Sequence, residues 1–222
     1  MKIARCMTLA AMFLAWFSQA AGASIYDELG RTCSDPQRMS LVLWMPQELF
    51  EEMSQMFPDG ALEELQETLK GFSMVAAVDG RVTPLGRIVY RSDATIRQDL
   101  AIVKDGRRYR PIPADEAPEG LRFLQQMMQQ AWASMMGELG SNMRLYLFPV
   151  ELDAAAQGEF FVRLGGTDSK EELFRYETPL RGVVPDSPCA GCDYPVRAAW
   201  NFCPRCGQEK RRGEADHERR VP

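Results

Sequence analysis

Residues 94–110 read ATIRQDLAIVKDGRRYR. Ile96, Leu100 and Ile102 fall on one face of an extended run from Ala94 to Val103. Asp105-Gly106 separates that run from Arg107-Arg108-Tyr109-Arg110. An Asp-Gly pair accepts the positive φ angles of a two-residue type I′ turn, so an antiparallel hairpin is predicted here. Working outward, Leu41 to Trp44 is a brief apolar run ended by Pro46, and Met74 to Val78 is another, with Asp79-Gly80 read as the turn that closes it. Arg87 to Tyr90 precedes the hairpin. Met143 to Val150 is apolar on both faces apart from Arg144 and predicts a central strand. Glu159 to Leu164 and Glu172 to Thr178 predict a final antiparallel pair.

Three helical segments interrupt these strands. Pro46 stands where a first helical residue belongs, and Leu49, Phe50, Met53, Met56 and Phe57 form a stripe that Pro58 terminates. Asp59 predicts the cap of a second helix bearing Leu62, Leu65 and Leu69, with Gly71 at its end. The longest helix is expected from about Pro118 to Leu139, with Leu121, Leu124, Met128, Trp132, Met135 and Leu139 along one side. Strands outnumber helices and no βαβ alternation appears. The predicted class is α+β, mainly antiparallel: an immunoglobulin-like β-sandwich with inserted helices for residues 24–184.

Charge and composition narrow the function. The chain has 222 residues, 45% of them hydrophobic and 26% charged, with a net charge of −5. An acidic body offers no general attraction to nucleic acid. The single histidine, His217, lies in a charged tail (209–222), which argues against Ser-His-Asp hydrolysis and histidine-ligated metal catalysis. At the other end, residues 1–23 read as a signal peptide: Lys2 and Arg5 precede an apolar stretch from Cys6 to Phe17, and Ala21-Gly22-Ala23 fits an A-x-A cleavage site before Ser24. That apolar stretch is short of the roughly 20 residues that span a bilayer, so no membrane span is expected after cleavage. The expected location is the bacterial periplasm or the medium.

The densest local signal is Cys189-Ala190-Gly191-Cys192, then ten residues, then Cys203-Pro204-Arg205-Cys206-Gly207. Two C-x-x-C pairs at this separation bring four thiolates within reach of one tetrahedral centre, and Gly207 supplies the left-handed backbone needed after the second pair. Segment 185–208 is too small to bury a core of its own, so a metal would provide most of its stability. The same thiols also allow structural disulfides or a redox dithiol in an oxidising compartment. Neither pair, however, has the strand–helix setting of a thioredoxin-like site. Cys33 is left over and reads as a buried apolar thiol, with a weak site for intermolecular pairing as the alternative.

On the four cysteines, Pro204, Gly207 and Phe202, the segment from Pro188 to Gln208 resembles the zinc ribbon (rubredoxin-like) domains of many bacterial proteins. The resemblance implies Cys189, Cys192, Cys203 and Cys206 as ligands of one structural zinc. Trp200 and Phe202 would then pack the hairpin or dock it. It implies a closed site that braces a domain or holds a partner. One residue departs from the pattern: Asp193 follows Cys192 where such ribbons often have glycine, although aspartate tolerates left-handed geometry better than most residues.

Other constellations have plainer explanations. Met127, Met128, Met135 and Met136, with Met53 and Met56, suggest soft-metal binding but sit at helical spacing beside Trp132, as core fillers do. Glu48, Glu51, Glu52, Glu63, Glu64 and Glu67 fall opposite apolar stripes, as on a solvated face. No phosphate-loop or dinucleotide fingerprint is present, and Gly165-Gly166 lacks the strand-then-helix context of one. The sequence therefore predicts an exported, non-enzymatic protein with a structural zinc ribbon and an unidentified protein partner in the cell envelope. A thiol–disulfide or metal-handling protein using the C-x-x-C pairs is the alternative, and a carboxylate-based hydrolase ranks third.

Overall fold

The computed structural model describes residues 25–52, 60–165 and 170–209. Residues 1–23, Met53, Met56, Phe57, Pro58, Asp59, Gly166 and the tail with His217 lie outside the described residues. The elements run in the order α1 (Ile25–Leu29), β1 (Gly30–Thr32), β2 (Arg38–Met45), α2 (Gln47–Glu52), α3 (Ala61–Leu69), β3 (Ser73–Val82), β4 (Ile88–Tyr90) and α4 (Asp93–Asp99). Then come β5 (Ala101–Lys104), β6 (Arg107–Tyr109), α5 (Glu119–Met136), α6 (Glu138–Asn142), β7 (Arg144–Phe148), β8 (Gly158–Leu164) and β9 (Glu172–Thr178). Short β10 (Ser187–Pro188) and β11 (Pro195–Val196) close the chain. All strand pairs among the described residues are antiparallel. The fold is mixed α+β with open sheets and no barrel. An immunoglobulin-like strand arrangement is not established by it.

One sheet has the order β1-β2-β3-β4, with β7 also on β3; the other has the order β6-β5-β8-β9. Strand β3 is long enough that β7 pairs with its first half (Ser73 to Ala77) and β4 with its end (Gly80 to Val82), both opposite β2. The sheets meet around Trp44 on β2. Its ring stands edge-on to Phe160 at 4.8 Å and to Tyr176 at 5.9 Å, while Phe160 and Tyr176 stack at 5.0 Å. The Tyr176 hydroxyl lies 3.0 Å from the Leu29 carbonyl oxygen and 3.3 Å from that of Val42, so the phenol enters the core with its polar end satisfied.

The hairpin forms as predicted: Asp105 (φ 51°) and Gly106 (φ 72°) make the turn between β5 and β6. The segment before it does not. Residues 93–99 are helical, because the Ser92 hydroxyl accepts a hydrogen bond from the Thr95 N–H (3.2 Å) and Asp93 occupies the first turn. Ile96 and Leu100, four apart, are both buried from that helix, and only Ala101 onward is strand. Spacing that satisfied one face of a strand also satisfied one face of a short helix, and the cap decided between them.

Asp79-Gly80 is likewise not a turn but the interior of β3. The fully buried Asp79 carboxylate accepts hydrogen bonds from Arg38 Nε (2.8 Å) and Nη2 (2.9 Å), Ser40 Oγ (2.5 Å) and Arg91 Nη1 (2.9 Å), and Arg91 also bonds Asp99. Gly80 lets β4 come close: a Cβ there would stand 3.0 Å from the Val89 carbonyl oxygen. Strand β7 is buried as predicted but is not central, since among the described residues it pairs only with β3. Its outer carbonyls, Leu145 and Leu147, are instead satisfied by the Gln125 side chain (2.9 Å) and the Ile112 N–H (2.8 Å).

Helix α5 buries Leu121, Leu124, Met128 and Trp132, as the periodicity requires, but stops at Gly137 (φ 59°). Met135, within that helix, faces solvent at 62% exposure, while its neighbour Met136 packs against the core. No helix among the described residues is long and apolar enough to cross a membrane.

Candidate metal centre

The chain leaves β9 through a turn in which the Val184 N–H bonds the Leu180 carbonyl oxygen (2.7 Å). Three features hold this exit. Glu28 Oε2 on α1 accepts hydrogen bonds from the N–H groups of Arg181 (2.6 Å) and Gly182 (3.2 Å). Arg181 pairs with Asp186. Gly182 lies so close to α1 that a Cβ there would come within 2.6 Å of the Ile25 backbone. Beyond this exit, β10 and β11 pair across the first cysteine turn, Ser187 with Val196 and Pro188 with Pro195.

The two C-x-x-C turns are built alike. In the first, the Cys189 N–H bonds the Tyr194 carbonyl oxygen (2.9 Å) and the Asp193 N–H bonds the Cys189 carbonyl oxygen (2.9 Å). In the second, the Cys203 N–H bonds the Gln208 carbonyl oxygen (2.8 Å) and the Gly207 N–H bonds the Cys203 carbonyl oxygen (2.9 Å). The residue closing each turn is left-handed: Asp193 at φ 56° and Gly207 at φ 73°. Aspartate thus takes the backbone conformation that glycine takes in the second turn, at the cost its Cβ imposes.

The like turns bring four sulfurs together. All four Sγ atoms lie within 4.8 Å of one another, with Cys189–Cys206 and Cys192–Cys203 each at 3.6 Å. Metal–sulfur bonds of about 2.3 Å in a tetrahedron put sulfurs about 3.8 Å apart, whereas a disulfide needs about 2.05 Å. The four thiols are free, and their spacing is that of ligands around one ion. Cys189 and Cys203 are buried, Cys192 is half-buried and Cys206 exposed, so the centre is closed on one side and reachable on the other.

The four thiols do not ionise independently. Burial opposes ionisation of Cys203, but the N–H groups of Cys206 and Arg205 and the nearby Cys192 and Cys206 thiols bring it down to about 7. Cys192 feels a favourable N–H from Tyr194. Burial and the sulfurs of Cys206, Cys203 and Cys189 nevertheless push it up to about 12, and Cys206 is raised as well. One thiolate in the cluster resists the next, and only a positive ion among them makes four thiolates compatible. The donor set suits a soft or borderline tetrahedral ion.

The remaining residues divide. Trp200 is half-buried against the cysteine cluster with the Arg197 guanidinium 5.4 Å from its ring centre. Phe202 does not pack as predicted: its side chain is 57% exposed, and its backbone bridges to Glu209 instead. From the body, Gln157 Nε2 donates to Asn201 Oδ1 (2.8 Å). Glu28, Gly182 and Gln157 are far from the cysteines in sequence and carry no motif, so sequence reasoning missed their part in seating the segment.

Elsewhere, Met128 enters the core while Met127 and Met135 face solvent, which splits the methionine group between two sides. Cys33 is half-buried, with its thiol 3.2 Å from the Arg38 carbonyl oxygen. Glu51, Glu63, Glu64 and Glu67 are exposed as predicted, but Glu48 is drawn partly inside. It lines a cavity of about 350 Å³ together with Met45, Leu69, Phe72, Glu151 and Asp153. Burial first, then the charges of Asp153 and Glu51, hold its carboxyl above the usual range. Asp153 accepts hydrogen bonds from the N–H groups of Ala155 (2.7 Å) and Ala156 (3.1 Å), so that carboxylate closes a turn.

No protein-family model, curated protein or solved structure matches the chain.

Proposed function

We propose that this is an exported, non-enzymatic protein whose C-terminal segment is a zinc ribbon. Zinc held by Cys189, Cys192, Cys203 and Cys206 would cross-link the two turns and brace an interaction or scaffolding module in the periplasm or cell envelope. The observation that carries the reading is the repeated turn: two identical backbone hydrogen-bond patterns converge four sulfurs at ligand spacing. With all four positions of a tetrahedron taken by protein, zinc has no open site for a substrate and its role is structural. The signal-like residues 1–23 support export, and the sandwich reading of the body belongs to the same proposal, because its sheets share one core around Trp44.

The rival reading is a thiol–disulfide or metal-handling protein. It draws on the same cysteines, whose closest sulfur pairs run across the two turns, Cys189 with Cys206 and Cys192 with Cys203.

Intact-mass and metal analysis of the protein recovered from the periplasm separates the two. One zinc per chain, four thiols released only on chelation and a mass beginning at Ser24 are expected. A metal-free chain lighter by two or four hydrogens overturns the zinc reading and favours disulfides. A mass that includes Met1 overturns the cleavage.

A further inference from the structure

We infer that the outer edge of β6 is a docking site for an extended acidic segment of a partner protein. In a two-residue hairpin the closing pair, here Lys104 and Arg107, exchanges the hydrogen bonds. The N–H and C=O of Arg108 therefore point away from β5, and Arg110 follows one residue past the end of the strand. Among the described residues strand β6 is an edge of its sheet and pairs only with β5, so a segment laid along it would add a strand.

The side chains of this edge specify what that strand carries. Arg108 lies in one row with Val103, Phe161 and Arg175 on the solvent-side face of the sheet, since each is the direct partner of the next. Arg108 and Arg110 are exposed and form no ion pair among the described residues. Arg175 is bonded to Glu159 and Glu177, and Glu171, whose charge Arg108 also feels, is bonded to Arg163. Among the described residues the hairpin thus keeps guanidinium groups outside any ion pair in a chain of net charge −5, and these suit carboxylates in a bidentate geometry. Between them Tyr109 points the other way and is half-buried against the core. A matching strand would be acidic, apolar, acidic: carboxylates beside Arg108 and Arg110, and an apolar side chain beside Tyr109. Short charged edges also discourage unwanted sheet pairing, so the test must separate docking from plain repulsion or attraction.

Fluorescence polarisation of the full chain with a labelled decapeptide alternating glutamate and valine provides that test. Saturable binding is expected. It should weaken roughly tenfold in the Arg108→Glu/Arg110→Glu variant, as two lost charge-assisted contacts on an exposed edge imply. The same charge change at exposed Arg81 and Arg87 should leave it unchanged, with far-UV circular dichroism showing that both variants fold. Chelation should also leave it unchanged, because the edge belongs to the body; loss of the ribbon and loss of the docking edge are thereby told apart. Equal binding of a glutamate–glycine peptide, displacement by inorganic polyphosphate as effective as by the unlabelled peptide, or no saturation at all each overturns the inference.

Discussion

Among the described residues from Ile25 to Leu180 one apolar cluster of 35 buried side chains runs through both sheets and the helices between them. Between Ser187 and Glu209 the buried cluster is Cys189, Val196 and Cys203, with Cys192 and Trp200 leaning on it. Two of the three buried residues in the smaller cluster belong to the four cysteines whose sulfurs lie at ligand spacing. The body removes apolar surface from water on a scale that offsets its chain entropy; the cysteine segment does not, and on the proposed reading its order comes from metal–thiolate bonds. The difference teaches that one chain can contain two kinds of fold stability, separable by experiment.

The sharpest way to break that comparison is to remove the metal. A strong chelator, or Cys203→Ser, should unfold residues 185–209 with the loss of about 10 kcal/mol or more of apparent metal-binding energy, leaving the body folded. Hydrogen exchange read by mass spectrometry should show protection lost in 185–209 alone. Protection lost equally across β2, β3 and β8 would mean that the body also depends on the centre.

The reverse perturbation comes next. Trp44→Ala empties the contact between the sheets and should cost about 3–5 kcal/mol, seen as a lower denaturant midpoint with zinc content unchanged. Asp79→Ala leaves Arg38 and Arg91 without their shared carboxylate and should cost a similar amount, about 3–5 kcal/mol. A milder test of the same network is pH. Burial opposes the Asp79 charge, but hydrogen bonds from Arg38, Ser40 and Arg91 outweigh it and hold the carboxyl below its ordinary value. A depressed folded value means the contribution is complete above the unfolded carboxylate range, about pH 4, and is lost as pH falls below it. Body stability should therefore drop below about pH 4 in the native chain and more shallowly in Asp79→Asn.

The smallest expected effect sharpens the likeness of the two turns. If Asp193 and Gly207 do the same backbone job, Asp193→Gly should strengthen metal retention by about 1 kcal/mol or less, measured by competition with a chromophoric chelator. A weakened site would show that the Asp193 side chain contributes more than its backbone conformation costs.

Legibility followed the range of the interactions involved. Asp105-Gly106 was readable because the turn's demand for positive φ is local, and the cysteines because four ligands at fixed spacing carry their own geometry. Ala94 to Leu100 was misread as strand because one apolar stripe fits both periods, and the deciding Ser92 cap lay just outside the window. Asp79-Gly80 was misread as a turn because nothing adjacent in the chain reveals that Arg38, 41 residues earlier, supplies the counter-charge. Phe202 was expected to pack because it is aromatic, yet the cysteine segment is too small to cover it.

By itself, then, the sequence determined the four-sulfur centre, the hairpin, the β8–β9 pair and the long helix, since each is specified by residues within one turn or one repeat of each other. Only the tertiary structure decided that β3 carries two strands on one edge, that Asp79 is a buried counter-ion and that Glu28 and Gly182 seat the cysteine segment. Those depend on which distant groups meet, and the energies that choose among such meetings, desolvation of charge and close packing, exist only once the chain has closed on itself.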